Sequence, residues 1–318
     1  MSKLNNQNHI TVKEVDDGKR LDVYLAEELR VTRSQVQKMI GRGDVLVNGA
    51  PPKKTGIKLS VGDAIRIIES STNPYTLTPI PFPKILVETP DYLIVDKPAG
   101  LIVHAAPSKE QITLVDLLLE QYPELKGIGD DPLRPGIVHR LDKDASGIMV
   151  VARTQDSFDS LKRQFKLRRV HKEYSILVRG IVTPSEGRID LPIARCASHS
   201  TRFVGNAAAG RQAITNYSVE KFVDGCSLVR VTPETGRTHQ IRVHFMSRGY
   251  PLVGDTVYKR KQTAKNSEVF ESAASRLMLH ASVLEFRDLS GSPKQYECPP
   301  GKDFLEIVSR IDKNPDTL

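Results

Sequence analysis

The chain has 318 residues, 39% of them hydrophobic and 26% charged, which is the make-up of a globular protein with room for one large and one small domain. Its formal net charge of +8 favours an acidic polymer as partner, most simply a nucleic acid. Three scattered cysteines, Cys196, Cys226 and Cys298, form no CxxC pair, so a disulfide framework and a thiolate zinc site are disfavoured.

The opening MSKLNNQNHI lacks an apolar signal core, and the longest apolar runs fall far short of a membrane span. The expectation is a cytoplasmic protein with residues 1–18 loose. From Lys19, Leu21, Tyr24, Leu25 and Leu29 recur at helical spacing. A second helix follows, capped by Thr32 or Ser34, with Val36, Met39 and Ile40 on its apolar face and Gly41 or Gly43 as its stop. VLVNG then reads as a strand entering an Asn-Gly turn, and AIRII as another strand. Residues 19–70 are thus a small α/β module with Arg33, Lys38, Arg42, Lys53 and Lys54 on it. The pieces RLDVYLA, TRSQVQKMIGRGDVLVNG and VGDAI resemble the αL-type, S4-like RNA-binding domain. That resemblance implies that the basic residues meet RNA.

Residues 71–83 carry four prolines and read as an extended linker. The second domain, 84–318, opens with two strands at Ile85–Val87 and Tyr92–Val95 around a Thr-Pro-Asp turn. Lys97-Pro98-Ala99-Gly100 is another turn, and Thr113 caps the helix LVDLLLEQY. The charged stretch HRLDKDASG, residues 139–147, leads into the strand IMVVA. Asp156 is the expected cap of the helix SFDSLKRQFKLRR, with Phe158, Leu161, Phe165 and Leu167 inward and Lys162, Arg163, Lys166, Arg168 and Arg169 outward. HKEYSILVRG, QAITNYSVEKF and CSLVRVTP follow as strands. GRTHQIRVHFMSRG fits either period; Thr238 as cap and Gly249 as stop favour a helix. A strand in RLMLHASVLEF and a helix near DFLEIVSRI end the chain. Strands outnumber helices without regular alternation, so the expected class is α+β: a mixed, mainly antiparallel sheet flanked by helices.

His239 and His244 lie five residues apart, not the four of a helical zinc pair, and no GxSxG elbow, phosphate loop or GxGxxG occurs. No metal or cofactor is therefore expected. Carboxylates remain. Asp144-Ala145-Ser146-Gly147 reads as plain turn chemistry, with Asp and Ser bonding the backbone and Gly at positive φ. Asp142 differs: beside Val138 and Leu141 it needs a cation to stay ionised, and GRTHQIRVH offers Arg237 and Arg242. Ionised and desolvated, it would be a competent nucleophile.

RPGIVHRLDKDASGIMVVAR, KEYSILVRG, TGRTHQIRVH, PLVGDTVY and RLMLHA resemble, in this order, the motifs of RluA-type pseudouridine synthases across residues 84–300. The resemblance implies cofactor-free isomerisation of a chosen uridine in RNA. Its essential aspartate falls on Asp142. The tyrosine against the target base falls on Tyr174, and the salt-bridge partner of the aspartate on Arg242. Arg140, with His139 beside it, matches the group that replaces the flipped nucleotide, and Leu279 closes the pocket. Lys162, Arg163, Lys166 and Arg169 would meet phosphates. Large-subunit ribosomal RNA is the favoured substrate; a tRNA-modifying enzyme and a non-catalytic ribosome assembly protein are the alternatives.

Overall fold

The computed structural model describes residues 9–29, 33–52, 54–67, 82–104, 112–196, 202–206, 208–223, 225–259, 274 and 276–312. The chain divides into two compact units, Met1–Pro79 and Ile80–Leu318.

In the first unit, strands β1 (His9–Thr11), β2 (Val45–Val47) and β3 (Ala64–Ile67) form an antiparallel sheet in the order β1-β3-β2. Helices α1 (Leu21–Glu28) and α2 (Arg33–Arg42) close its core, which holds Leu21, Leu25, Val36, Ile40, Val45 and Ile65. The expectation of a loose N-terminus is corrected from residue 9 onward. Ile10 pairs with Ile65 and Val12 is buried, a pattern too short to show as periodicity. Asn48 and Gly49 both have positive φ, 51° and 81°, as a type I′ hairpin turn requires. Thr32 lies outside the described residues, and Ser34 already stands inside α2. The helix runs through Gly41 and the chain turns at Gly43, φ 83°. Asp22 is fully buried, yet it accepts two N–H groups of Arg20 at 3.0 and 3.1 Å and the Gln37 amide at 2.9 Å, which ties α1 to α2.

The second unit is built on a nine-stranded sheet. Its path runs β4 (Lys84–Glu88), β5 (Tyr92–Lys97), β6 (Ser146–Ala152), β13 (Leu279–Arg287), β7 (His171–Arg179), β12 (Cys226–Pro233), β11 (Ile214–Val223) and β8 (Glu186–Asp190), with β14 (Pro293–Glu297) also pairing to β13. A separate two-stranded sheet joins β9 (Ile193–Arg195) to β10 (Phe203–Gly205). β6 is buried along its whole length and β5 nearly so, which explains their unbroken apolar runs.

Among the described strands every pair is antiparallel except β6 with β13, where Ser146 and Gly147 register with His280 and Ala281. Gly147 sits at φ 115°, and a Cβ there would lie 2.2 Å from the Ala281 carbonyl oxygen. The Ser146 hydroxyl bonds His280 Nδ1 at 2.9 Å, while His280 Nε2 faces the Cys298 carbonyl at 2.8 Å. A carbonyl only accepts, so Nε2 carries the proton and Nδ1 accepts from Ser146. This corrects the reading of Ser146 as a local turn residue: its hydroxyl fastens two strands together.

Thr113 caps α3 (Leu114–Gln121) in a reciprocal capping box with Asp116. The cap of α4 (Gln155–Lys166) is Thr154, whose Oγ1 accepts from Ser157 N at 3.2 Å, and not Asp156. Leu167 lies past the end of α4 and is 51% exposed, because Arg168 at φ 57° turns the chain away; its inward placement is corrected too. GRTHQIRVHFMSRG does contain a helix, α5 (Gln240–Ser247), and Gly249 at φ 88° follows it. Its cap position is His239 in the left-handed region, not Thr238. The Gln240 side chain fixes that start instead, accepting from Arg237 N at 3.0 Å and from the Thr235 hydroxyl at 2.7 Å. Helix α6 (Lys302–Asp312) closes the described chain, with Phe304 and Ile307 buried.

Candidate active site

The loop before β6 brings Asp142 into the second unit's interior. Leu141 is buried and anchors it; the Asp142 side chain is 15% exposed. Lys97, at the end of β5, locks this loop. Its Nζ is fully enclosed and donates to the carbonyls of Pro98 (2.8 Å), Leu101 (2.8 Å) and Lys143 (3.1 Å). Burial pulls the Lys97 ammonium down to about 7. Gly100 N also donates to the Lys143 carbonyl, at 2.9 Å. The sequence marks Lys97-Pro98-Ala99-Gly100 only as a turn. That its lysine reaches back to the residue after Asp142 is a tertiary fact.

Arg242 arrives from α5. Its Nε and one terminal nitrogen grip Asp255 at 2.7 and 2.8 Å, and its other terminal nitrogen donates to Asp142 Oδ2 at 3.2 Å. The Asp255 side chain is wholly buried. Asp255 Oδ1 also accepts from the backbone N–H groups of Val257 and Tyr258, at 2.8 and 3.0 Å. Burial opposes the Arg242 charge, but the bonds and charge of Asp255, then of Asp142, hold its guanidinium firmly protonated. The Tyr258 ring lies 5.1 Å from the guanidinium carbon. Of the two candidate cations, Arg242 reaches Asp142; Arg237 instead donates through Nε to the Gln212 carbonyl at 3.1 Å. Sequence reasoning missed Asp255 and Tyr258, although both stand in the quoted PLVGDTVY.

Asp142 opens onto a cavity of about 110 Å³ that Arg140, Leu141, Lys172, Tyr174 and Leu279 also line. That is smaller than the roughly 150 Å³ of a cavity that takes up a benzene ring. Tyr174 stands in mid β7, opposite Ala281 of β13 and Val231 of β12. Burial first, and then the Asp142 charge, push its phenol above the usual range, so it stays neutral. Leu279 is buried at the start of β13, and Arg140 is exposed at the rim. Asp144, two residues on, lines a separate cavity of about 560 Å³ with Gly100 and Arg276. The two carboxylates of the motif therefore face different spaces.

The family described as RNA pseudouridylate synthase matches residues 91–247, and the S4 domain matches residues 19–65. A protein of Bacillus subtilis (strain 168), named as an RNA pseudouridine synthase, is 36% identical over 315 residues, covering 97% of this chain and 99% of its own. The chain belongs to the RNA pseudouridine synthase family. The ribosomal large subunit pseudouridine synthase D of Nitrosomonas europaea is 37% identical over 317 residues, 98% of this chain and 90% of its own. The solved structure of human RNA pseudouridylate synthase domain containing 4 superposes with a TM-score of 0.58 at 26% identity, over 71% of this chain and 92% of that one. As a pseudouridine synthase, the protein isomerises uridine to pseudouridine in RNA.

In this pseudouridine synthase the remaining sequence-derived residues are dispersed. Arg163, Lys166 and Arg169 are exposed on and just after α4. Lys162 is exposed as well but pairs with Asp130. Lys54 is exposed in the first unit, while Lys53 and the side chains of Arg33, Lys38 and Arg42 lie outside the described residues. His139 is corrected as an RNA-contact residue. Its ring stacks on Phe165 at 4.6 Å, and its Nε2 accepts from Val150 N at 3.0 Å. Burial lowers its pKa to about 3, so it is a neutral strut between loop, β6 and α4.

Proposed function

We propose that this pseudouridine synthase modifies large-subunit ribosomal RNA in the cytoplasm, with Asp142 as the reacting carboxylate. The observation that carries the residue assignment is the shared cavity: Asp142, held by Arg242, faces the same space as Tyr174. A uridine reaches that space by leaving its stack, at a cost of a few kcal/mol. Arg140 at the rim takes the vacated position, where a guanidinium stacks on the neighbouring bases. Tyr174 supplies the platform for the extruded uracil, worth about 1–3 kcal/mol, and Leu279 closes on it. Arg242 keeps Asp142 aimed.

Two findings support ribosomal RNA: the S4 domain at the N-terminal end, and the name of the Nitrosomonas relative. The test is to map pseudouridines in the source cells with and without the protein. Loss of one or a few sites in large-subunit RNA is the expected result. Losses confined to tRNA would replace that substrate; unchanged maps, with no turnover by the purified protein on total RNA, would leave only an assembly role.

A further inference from the structure

Lys172 lines the same cavity as Asp142 and Tyr174, yet the substrate assignment above leaves it without a task. It stands two residues before Tyr174 on β7, and alternate residues of a strand share a face. Among the described residues no carboxylate and no hydrogen-bond acceptor meets its Nζ. The adjacent Glu173 points elsewhere, to His171 at 3.0 Å and Arg230 at 3.8 Å. A half-buried cation that no carboxylate of the described residues contacts is costly unless something that enters the cavity compensates it.

We propose that the Lys172 ammonium contacts a carbonyl oxygen of the flipped uracil and is a catalytic residue for its detachment. The inference rests on Asp142 and Tyr174 forming the uridine site. When the bond from C1′ to N1 breaks, its electron pair leaves with the base. The detached uracil is then an anion whose charge lies on N1 and on the O2 and O4 oxygens. A cation beside one of these oxygens stabilises that charge in a site sheltered from water. Lys172 gives up no proton. When C5 bonds to C1′ the electron pair returns to the sugar, the C5 proton departs, N1 takes up a proton, and the product is an isomer of the substrate.

The geometry favours the base over a phosphate. A base stacked on Tyr174 presents its edge along β7 toward Lys172, whereas the exposed Arg140 stands at the outer wall where a backbone would run, and the half-buried Arg237 is engaged with the Gln212 carbonyl. The charged or titratable groups that line the cavity with Lys172 are Arg140, Asp142, Tyr174, Arg237, His239 and Arg242; His139, held neutral, feels the Lys172 charge but does not line the cavity. Burial brings the Lys172 ammonium down to about 8, so it loses its proton within a range open to assay.

The test uses the full-length protein and an RNA in which the wild type forms pseudouridine. Single-turnover rates and binding are measured for wild type, Lys172→Met and Lys172→Arg. Lys172→Met is expected to slow the chemical step about 10²-fold, the scale of one lost charge-stabilising donor, with RNA affinity nearly kept. Lys172→Arg is expected to recover most of the rate and to move the alkaline fall-off, near pH 8 in the wild type, to higher pH. A loss in affinity alone, with a salt slope reduced by about 1, would make Lys172 a phosphate contact and overturn the proposal. So would a Lys172→Met rate equal to wild type. If Lys172→Met fails to fold, an unmoved alkaline limb in Lys172→Arg overturns it equally. Absence of turnover in Asp142→Asn alongside any of these results keeps the site assignment separate from the role of Lys172.

Discussion

Arg242 gives its two parallel N–H groups to Asp255, at 2.7 and 2.8 Å, and only its remaining terminal nitrogen to Asp142, at 3.2 Å. The guanidinium is thus held from behind by a carboxylate whose side chain is wholly buried. Asp142, with one longer bond and 15% of its side chain exposed, stays accessible from the cavity. Asp255→Asn should lower turnover about 10²-fold through misplacement of Arg242. Asp255→Ala should also cost about 3–5 kcal/mol of stability, because it strands a buried cation. Single-turnover assays and urea unfolding of both variants check this; wild-type rates in Asp255→Asn would show that Arg242 needs no clamp.

Asp142→Asn should abolish product while RNA affinity stays within a few-fold. Arg242→Lys should retain little activity, because an ammonium cannot serve two carboxylates from one planar fork. Product is read by chemical labelling of pseudouridine, which adds a mass that the mass-silent isomerisation does not, and affinity by filter binding. Tight binding lost together with activity in Asp142→Asn would make the carboxylate structural.

Lys97→Met removes the donor that three carbonyls share around the Asp142 loop. Orphaned buried acceptors cost about 1–3 kcal/mol each, offset in part by removing a buried charge. A net loss of about 3 kcal/mol and a lower turnover are expected, measured by denaturant midpoint and by single-turnover rate. An unchanged midpoint would show that the loop holds itself.

Gly147→Ala places a methyl 2.2 Å from the Ala281 carbonyl at a backbone φ of 115°. Neither contact partner is a flexible side chain, so the parallel junction must open. The variant is expected to be insoluble or destabilised by more than about 3 kcal/mol; a melting temperature near wild type would contradict the close approach.

His104, His139, His239, His244 and His280 all have their pKa values lowered by burial, His139 to about 3. Below the ordinary value of 6.5 the unfolded chain takes up protons at these rings more readily than the folded chain does. Stability present above pH 6.5 is therefore lost as pH falls toward 3, at no more than about 1.4 kcal/mol per pH unit for His139. Melting at pH 7 and pH 5 should show the drop, and His139→Gln should shrink it. Equal pH dependence in that variant would mean that the ring is protonated in the folded state.

The local features were legible because their signals are local. The turn at Asn48-Gly49, the Thr113 cap, the buried runs YLIV and IMVVA, and the helical nature of α5 each depend on residues within a few positions of one another. Errors arose where two neighbours competed for one local task. Thr154 caps α4 in place of Asp156, and the Gln240 side chain fixes the start of α5 in place of Thr238. The short strand β1 was illegible because three residues carry too little periodicity.

The order of motifs determined the family and the need of Asp142 for a cation, since composition, charge and residue type are properties of the chain itself. Only the tertiary structure decided which cation answers it and what stands behind that cation. Arg242 is 100 residues from Asp142, and Ser146 is 134 from His280, so no local pattern encodes either meeting. Strand pairing brings such pairs together, and the cost of leaving a buried charge or polar group without a partner then selects Arg242 with Asp255, and Lys97 with three carbonyls.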